Sequence, residues 1–323
     1  MKIYFAPMEG ITGYVFRNAH FHIFGGVDAY FTPFLATHKT KVLTAREKND
    51  ILPDHNQGVP VIPQLLSDDG EDFIRTAQIL KTYGYREVNL NLGCPSRTVV
   101  AKGKGAGFLA RLEDLERFLD QIYSGTDMDI SIKTRIGVEN AEHWEALLSL
   151  FNRFPVKELI VHPRLQKAGY GGTPDRQAWE MAVRESQAPL CYNGDLFTGR
   201  QIWAFEQENP QTQAVMLGRG LLMRPGLARH LREERETEDI SAGEYEAMGQ
   251  FHRQICQGYR QVLSGDRDVL FKMKELWGYL ICSFPKAPAK SLKKIQKART
   301  WSEYIEAVKG VFASVEMPEK KGR

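Results

Sequence analysis

The sequence predicts an α/β fold, a (β/α)8 TIM barrel followed by a small C-terminal helical domain. Eight short β-like runs alternate with helical patterns up to about residue 222, polar residues gather where these runs end, and only helical patterns follow residue 240. Strands that alternate with helices indicate βαβ units and a parallel sheet. Eight such units in this length match a barrel, whose usual size is about 250 residues. We therefore expect a barrel domain over residues 1–241 and a helical domain over residues 242–323.

The eight predicted strands follow one another at regular intervals. They are KIYFAPM (2–8), AYFTPF (29–34), VPVIPQLLS (59–67), EVNLNLGCP (87–95), DISIKTRIG (129–137), ELIVHPR (158–164), LCYNGDL (190–196) and AVMLGRGLL (214–222). A doubly wound open sheet is the alternative, but such a sheet normally has five or six strands and a GxGxxG motif after the first one. That motif is absent after residues 2–8, which favours the barrel.

The helical patterns begin between the strands and dominate the C-terminal end. Residues 72–83 and 112–123 are predicted helices of the barrel. Residues 241–263, 269–284, 292–298 and 301–315 read as the helices of the second domain, broken by glycine and proline. Five aromatic residues lie in these last helices, Trp277, Tyr279, Phe284, Trp301 and Tyr304, and their helical spacing predicts that most of them are core.

The composition is ordinary for a soluble globular protein, with 42% hydrophobic and 26% charged residues among 323. The N-terminal apolar run is too short for a signal peptide, and no stretch approaches the roughly 18 apolar residues of a membrane helix. We expect a cytoplasmic monomer without membrane contact. None of the four cysteines form a CxxC pair and no histidine pattern suggests a metal site. Three of them, Cys191, Cys256 and Cys282, lie in apolar contexts and are predicted to be core.

Polar residues at the ends of the fourth and fifth strands indicate where chemistry takes place. In a barrel, the carboxyl ends of the strands form the active site. The two-residue period of VNLNL and ISIKTR turns the apolar side chains toward the helices, so Asn91 and Lys133 point inward. A buried lysine is costly unless an anionic group or an acidic side chain meets it. Cys94 follows directly, between Gly93 and Pro95, where the strand must stop.

Two glycine-containing tripeptides predict a phosphate site. NGD (193–195) follows the seventh strand and GRG (218–220) follows the eighth, which is where barrels commonly bind a phosphate group. Glycines there let backbone N–H groups approach an anion. Together with Lys133 on the fifth strand and Gln64 on the third, these loops suggest flavin mononucleotide at the barrel mouth.

With these residues in view, the chain resembles the tRNA-dihydrouridine synthases over essentially its whole length. APMEGITGYVFR (6–17) resembles the opening signature of that family, and GCPSRTVVAKGKGAG (93–107) resembles its active-site signature, the most specific motif in the chain. NGD and GRG are similar to its flavin-phosphate loops. The resemblance implies a flavoenzyme with FMN that uses NADPH to reduce the C5=C6 bond of specific uridines in the D-loop of tRNA.

The resemblance also implies a role for each matching residue. Cys94 would donate a proton to C5 after hydride from flavin N5 reaches C6, and Asn91 and Arg164 would contact the uracil. The implied FMN ligands are Pro7, Met8, Gln64, Lys133, His162, Asn193, Gly194, Asp195, Gly218 and Arg219. Three positions depart from the family pattern: Gly13 replaces an aspartate, Pro33 a glutamate and Pro163 a glycine.

Charge predicts where RNA would bind. Residues 242–323 carry a net charge of +6, whereas residues 1–241 carry −3, and such asymmetry suggests an anionic partner. Lys290, Lys293, Lys294 and Lys297 share one helix face, and Lys102 and Lys104 lie in the glycine-rich loop after Cys94. All six are predicted to meet tRNA phosphates. The alternatives are a flavin barrel that acts on a free pyrimidine or enone, and an RNA-binding barrel without redox activity.

Overall fold

The computed structural model describes residues 1–39, 43–234 and 239–315 of the chain. These residues form two compact units, which are described separately. The first contains Met1–Glu9, Asp28–Asp195 and Ala204–Leu217, and the second contains Gly10–Val27, Leu196–Trp203 and the chain from Gly218 onward. The predicted domain boundary at residues 241–242 stays a prediction. Residues 316–323, which include the EKKGR segment (319–323) predicted as a basic tail, lie outside the described residues.

All eight predicted strands are confirmed, and all belong to the first unit. In chain order they are β1 (Lys2–Phe5), β2 (Ala29–Phe31, continued by Leu35–Ala36), β3 (Val61–Ile62 and Gln64–Leu66), β4 (Glu87–Leu92), β5 (Asp129–Arg135), β6 (Leu159–His162), β7 (Leu190–Tyr192) and β8 (Ala214–Leu217). Every pairing between them is parallel. The βαβ reading of the sequence is therefore correct.

The sheet closes on itself at Pro63, which gives the predicted barrel. Val61–Ile62 pairs with β2, and Gln64–Leu66 pairs with β4. Pro63 has no N–H, yet its carbonyl oxygen accepts a hydrogen bond from the Asn89 N–H at 2.8 Å. The proline therefore interrupts the strand without opening the sheet. Because β1 pairs with both β8 and β2, the eight strands form one ring.

The barrel interior has an apolar part and a polar part. The apolar part is a cluster from β1, β2, β6, β7 and β8, namely Tyr4, Ala6, Ala29, Phe31, Ile160, Cys191, Ala214 and Met216. Register places Asn91, Lys133 and Ile160 in one row across β4, β5 and β6, so the amide and ammonium groups face the same interior. The prediction that Asn91 and Lys133 point inward is thus confirmed.

Most strands end earlier than the sequence predicted, and residues 219–222 of the last predicted strand belong to a helix instead. Two of these strand ends show the cause. The predicted strand 190–196 ends at Tyr192, because the Asn193 side chain leaves the pairing pattern and its Nδ2 donates to the Met216 carbonyl oxygen at 2.7 Å. The predicted strand 158–164 ends at His162. Pro163 follows, and the Arg164 N–H turns back to the His162 carbonyl oxygen at 2.7 Å. The loop after β7 therefore starts at Asn193, and the loop after β6 starts one residue before Arg164.

Helices separate the strands and fill the second unit. The α-helices are Tyr14–Ile23, Ala45–Ile51, Gly70–Thr82, Arg97–Val100, Leu112–Gly125, Trp144–Phe151, Arg176–Glu185, Gly199–Glu208, Arg219–Met223, Leu227–Arg232, Ala242–Val262, Asp266–Leu280, Ser291–Lys297 and Trp301–Phe312, and the 3-10 turns are Pro53–His55, Gly105–Ala110, Gln166–Ala168 and Ile281–Ser283. No strand follows residue 240 within the described residues, as predicted. No described helix is long and apolar enough to span a membrane.

The helices of the second unit pack around an aromatic core. Tyr304 Oη accepts a hydrogen bond from Trp277 Nε1 at 2.9 Å and lies 2.6 Å from His252 Nε2. Trp277, Phe284 and Tyr304 are buried as predicted, while Tyr279 and Trp301 are half-buried. The prediction that Cys282 is core is wrong, because the α-helix ends at Leu280 and the 3-10 turn that follows leaves Cys282 exposed.

Candidate active site

Cys94 begins the loop after β4, and the Asn91 side chain fixes its backbone. Asn91 Oδ1 accepts hydrogen bonds from the backbone N–H groups of Gly93 at 3.0 Å and Cys94 at 2.7 Å. The Cys94 carbonyl oxygen in turn accepts from the Ala106 N–H at 3.2 Å. The glycine-rich loop is therefore folded back onto Cys94, and Asn91 is part of what holds the cysteine in place.

The surroundings of Cys94 keep its thiol protonated. Burial raises the pKa of Cys94 above its ordinary value, and Glu9 adds to this effect. A hydrogen bond with the Ser96 backbone and the charges of Lys133 and Arg135 act in the opposite direction without reversing it. Cys94 is half-buried. A protonated, partly accessible thiol can serve as a proton donor near neutral pH.

Lys133 is a half-buried ammonium group without a counterion. Burial lowers the pKa of Lys133 to about 8, and the neighbouring Arg135 contributes to the shift. Among the described residues, Lys133 Nζ has no hydrogen-bond or ion-pair partner. The alternative of a lysine–aspartate pair inside the barrel therefore does not apply. An unpaired cation at the carboxyl end of a barrel strand suits an anionic or electron-rich ligand.

Gln64 lies beside Asn91 and is completely buried. Its Oε1 accepts from Asn91 Nδ2 at 2.7 Å, and its Nε2 donates to Asn89 Oδ1 at 2.8 Å. The backbone N–H of Gln64 donates to Thr32 Oγ1 at 3.0 Å. Each polar atom of the Gln64 amide can make one further hydrogen bond. Its contact with FMN stays a prediction, because the residue has no accessible surface.

Arg135 was missing from the predicted site residues. Its guanidinium donates to the carbonyl oxygens of Gly93 at 3.0 Å, Leu165 at 2.8 Å and Gly169 at 2.8 Å, so it ties the loop of Cys94 to the loop after β6. The two-residue period of β5 gave a signal for it, because Arg135 shares a face with Lys133. A fork of fixed N–H donors suits this kind of cross-link.

Arg164, which is buried, forms an ion pair with the half-buried Asp195. Arg164 Nη1 donates to Asp195 Oδ1 at 3.0 Å and Nη2 to Oδ2 at 2.5 Å, while Nη1 also lies 3.2 Å from His162 Nε2. The same guanidinium binds the carbonyl oxygens of Gly171 and Gly172. The structure thus brings three predicted site residues together. The uracil contact of Arg164 stays a prediction, since its donors already have partners.

The loops predicted to bind phosphate begin at the carboxyl ends of β7 and β8. Gly194 is needed for packing, because a Cβ there would lie 2.2 Å from Tyr192 Oη. Gly218 directly follows β8 and is the N-cap of the short helix Arg219–Met223 in the second unit. Within that unit, the Arg219 guanidinium lies 5.2 Å from the centre of the Phe197 ring. The phosphate contacts predicted for residues 193–195 and 218–220 stay predictions.

The remaining predicted residues have different surroundings. In the first unit, Pro7 and Met8 follow β1, and Met8 Sδ lies 3.9 Å from Tyr170 Oη. Lys104 pairs with Asp68 at 3.1 Å, whereas Lys102 is exposed. In the second unit, the four lysines Lys290, Lys293, Lys294 and Lys297 are exposed and form no ion pair among the described residues. The buried side of their helix is Ser291 and Ile295.

Comparison with known proteins identifies the family. A family model described as Dihydrouridine synthase (Dus) matches residues 4–311. The chain belongs to the dihydrouridine synthase family. It is 29% identical over 260 residues to a tRNA-dihydrouridine(16) synthase of Aquipseudomonas alcaligenes, which covers 77% of this chain and 81% of that protein. A Pseudomonas putida protein of the same name is 26% identical over 296 residues, covering 89% of this chain and 90% of its own.

Solved structures support the fold of this dihydrouridine synthase family member. An old yellow enzyme homologue from Zymomonas mobilis superposes with a TM-score of 0.54 at 12% identity, covering 75% of this chain and 92% of that one. Morphinone reductase in complex with tetrahydroNAD gives a TM-score of 0.52 at 14% identity, covering 75% and 89%. At this identity the likeness concerns the barrel fold alone. Membership of the dihydrouridine synthase family indicates a flavin-dependent enzyme.

Proposed function

We propose that this protein is a tRNA-dihydrouridine synthase that binds FMN, takes electrons from NADPH and reduces the C5=C6 bond of a uridine in the D-loop of tRNA. The observation that carries the proposal is that Cys94 and Lys133 lie toward the carboxyl ends of the neighbouring strands β4 and β5. One is a protonated thiol, and the other is a cation without a counterion. Two relatives are named for position 16 of tRNA, so we take uridine 16 as the target.

The residues of the barrel fit a flavin. Lys133 would place positive charge beside the pyrimidine edge of the ring, and Gln64 would offer its remaining amide donor and acceptor to that edge. Pro7, Met8, His162, Asn193, Gly194, Asp195, Gly218 and Arg219 are proposed to complete the FMN site. The Arg164–Asp195 pair would orient His162 within it.

Cys94 supplies the proton that the reduced uracil needs. The chemistry that a bound flavin contributes is hydride transfer to C6 of the uracil. Negative charge then develops at C5 and on the C4 oxygen, and Cys94 protonates C5. Since burial raises the pKa of the thiol, the proton remains available at neutral pH. Asn91 offers an N–H donor to the pyrimidine edge, where it would stabilise the developing charge.

The substrate is proposed to be held by lysines that take no part in this chemistry. A uridine in folded tRNA must leave its stack to reach a barrel mouth, and contacts with the phosphate backbone would position it. Lys290, Lys293, Lys294 and Lys297 are free for this role among the described residues, and so is Lys102. Lys104 would have to leave Asp68.

The test uses the purified protein with unmodified tRNA. We expect a yellow protein that oxidises NADPH and forms dihydrouridine in the D-loop, as measured by mass spectrometry of nuclease digests. Free uridine, free uracil and a simple enone, tested at the same concentrations, should not be turned over. Reduction of those small molecules with no effect on tRNA would instead support the free-substrate flavin oxidoreductase. A colourless protein that binds tRNA would support the RNA-binding barrel.

A further inference from the structure

A continuous chain of hydrogen bonds runs through the polar part of the barrel interior. It starts at the Cys94 backbone N–H, which donates to Asn91 Oδ1 at 2.7 Å, and Asn91 Nδ2 donates to Gln64 Oε1 at 2.7 Å. Gln64 Nε2 donates to Asn89 Oδ1 at 2.8 Å, and Asn89 Nδ2 donates to Ser131 Oγ at 2.9 Å. Ser131 Oγ donates to Glu87 Oε1 at 2.6 Å. Every link points the same way, from Cys94 toward Glu87.

The two ends of this chain give it only one direction. At the Cys94 end, the backbone N–H groups of Gly93 and Cys94 can only donate, so Asn91 must turn its oxygen toward them. At the other end, a carboxylate can only accept, and a neutral Glu87 would still accept through its carbonyl oxygen. Gln64, Asn89 and Ser131 are fully buried. If one of these amides flipped, it would face donor with donor and leave buried groups unsatisfied, which is unfavourable.

The fixed direction limits what Asn91 can offer to a ligand. Both acceptor positions of its Oδ1 are taken, by the N–H groups of Gly93 at 3.0 Å and Cys94 at 2.7 Å. One hydrogen of Nδ2 is used by Gln64, which leaves a single N–H. Asn91 can therefore donate to a bound pyrimidine, and it cannot accept from one.

We propose that Glu87 and Ser131 are positioning residues which, through Asn89 and Gln64, hold the Asn91 amide in the orientation that the Gly93 and Cys94 N–H groups impose, and that this lock selects uracil over cytosine. The inference rests on the proposed function. Since Asn91 binds the backbone of Cys94, the residue proposed to protonate C5, we place the free N–H of Asn91 at the exocyclic group on the neighbouring C4. Uracil carries an accepting oxygen there, whereas cytosine carries a donating amino group. The N–H of Asn91 can donate a hydrogen bond to the oxygen of uracil, whereas it would meet another donor in the amino group of cytosine.

Three variants test the lock far from the reacting atoms. Glu87→Leu removes the final acceptor, and Glu87→Gln, of the same shape, keeps an accepting oxygen for Ser131. Ser131→Ala breaks the chain independently, in case the leucine variant does not fold. Each is compared with wild type for FMN content, thermal unfolding, and kcat and KM on unmodified tRNA. Inhibition by the same tRNA with cytidine at the target position is measured as well.

We expect Glu87→Gln to behave like wild type. Glu87→Leu and Ser131→Ala should keep their flavin, lose about tenfold in kcat, and show a smaller ratio between the inhibition constant of the cytidine tRNA and the KM of the uridine tRNA. A structural effect alone would lower both affinities together and leave that ratio unchanged. Wild-type kcat and an unchanged ratio in both broken variants would overturn the proposal, and so would an equal loss in Glu87→Gln.

A second readout does not depend on activity. Alkylation of Cys94 by iodoacetamide is followed by peptide mass spectrometry, with the exposed Cys282 as the internal reference. Because Asn91 holds the backbone of Cys94, the ratio of the two rates should change in Glu87→Leu and Ser131→Ala and stay as in wild type in Glu87→Gln. If wild type fails to reduce tRNA, the proposed function fails, and this ratio still decides whether the lock exists. An unchanged ratio in all three variants would refute the lock.

Discussion

At the scale of single residues, the charge of Lys133 depends strongly on its surroundings. Burial brings its pKa to about 8, so the ammonium is charged at pH 7 and loses its proton as the pH rises through that value. We expect the affinity of the apoprotein for FMN to fall above about pH 8, because the cation beside the ring is then lost. Lys133→Met should bind FMN more weakly and show no such dependence.

Titration of the apoprotein with FMN between pH 6.5 and 9.5, followed by flavin fluorescence, measures this effect. Lys157→Met is the control, since Lys157 is exposed and pairs with Asp129. A pH dependence of equal size in wild type and Lys133→Met would mean that another group titrates and that Lys133 does not contact the flavin.

Single residues also show what the sequence could and could not predict. The alternation of polar and apolar residues in β4 and β5 was enough to place Asn91 and Lys133 inside the barrel. It gave no information on partners far along the chain, such as Asp195 for Arg164 or Asp68 for Lys104. Those ion pairs depend on how separate loops meet. Roles assigned from residue type alone therefore treated Arg164 and Lys104 as available to bind the substrate.

Among the structural elements, the loop that follows Cys94 packs against that cysteine at Gly105. Gly105 has φ +56, and a Cβ there would lie 3.0 Å from Cys94 Cβ and from the Cys94 carbonyl oxygen. Gly105→Ala should therefore lower the unfolding free energy by about 1–3 kcal/mol and reduce activity by displacing Cys94. Gly84 has φ +91 with no atom close to a Cβ, so Gly84→Ala should share the loss of stability and keep the activity.

Thermal unfolding and initial rates on tRNA, measured for both variants, separate the two effects. Should Gly105→Ala keep full activity despite its lower stability, the packing of the loop against Cys94 would not matter for catalysis.

The helix Ser291–Lys297 provides the test of RNA binding at this scale. Replacing Lys293, Lys294 and Lys297 with glutamine should weaken tRNA binding and flatten the slope of log K against log salt by roughly 2 to 3, since each phosphate contact contributes about 0.7 to 0.9. Flavin reduction by NADPH should not change. The measurement is tRNA affinity across a salt series.

A matched triple variant provides the control. Lys81, Lys157 and Lys167 are cations paired with Asp127, Asp129 and Glu139, and their replacement by glutamine removes the same charge. Equal losses of tRNA affinity and slope in the two triple variants would show that only net charge matters. No loss in the first would place the RNA elsewhere, for example at Lys102.

The elements themselves were largely predictable, and their ends were not. The helical and strand patterns of the sequence extended over enough residues to predict all eight strands and the C-terminal helices. The strand ends at Tyr192 and His162 are set by a side chain that binds a neighbouring strand and by a proline turn. Neither contact leaves a periodic signal in the sequence. Both contacts nevertheless determine where the loops with the predicted site residues begin.

For the molecule as a whole, two buried histidines predict sensitivity to acid. Burial lowers the pKa of His20 to about 3 and that of His252 to about 4, below the value of about 6.5 in an unfolded chain. Between about pH 4 and 6.5 the unfolded state therefore binds more protons, and the unfolding free energy falls as the pH falls. Each histidine contributes about 1.4 kcal/mol per pH unit.

Urea unfolding at pH 6.5, 5.5 and 4.5, followed by tryptophan fluorescence, measures this slope. His252→Gln removes one of the two groups and should reduce the histidine contribution by about half. The same slope in wild type and in His252→Gln would mean that carboxyl groups, not His252, govern the loss of stability.

We propose that this barrel reduces uridine in tRNA, with Cys94 as the proton donor. The most direct measurement is a single turnover, in which wild type and Cys94→Ala are first reduced with NADPH and then mixed with unmodified tRNA. Cys94→Ala should match wild type in flavin content and in the reduction by NADPH, and it should form dihydrouridine about 10²- to 10⁴-fold more slowly. Dihydrouridine formation by Cys94→Ala at the wild-type rate would show that Cys94 is not the proton donor.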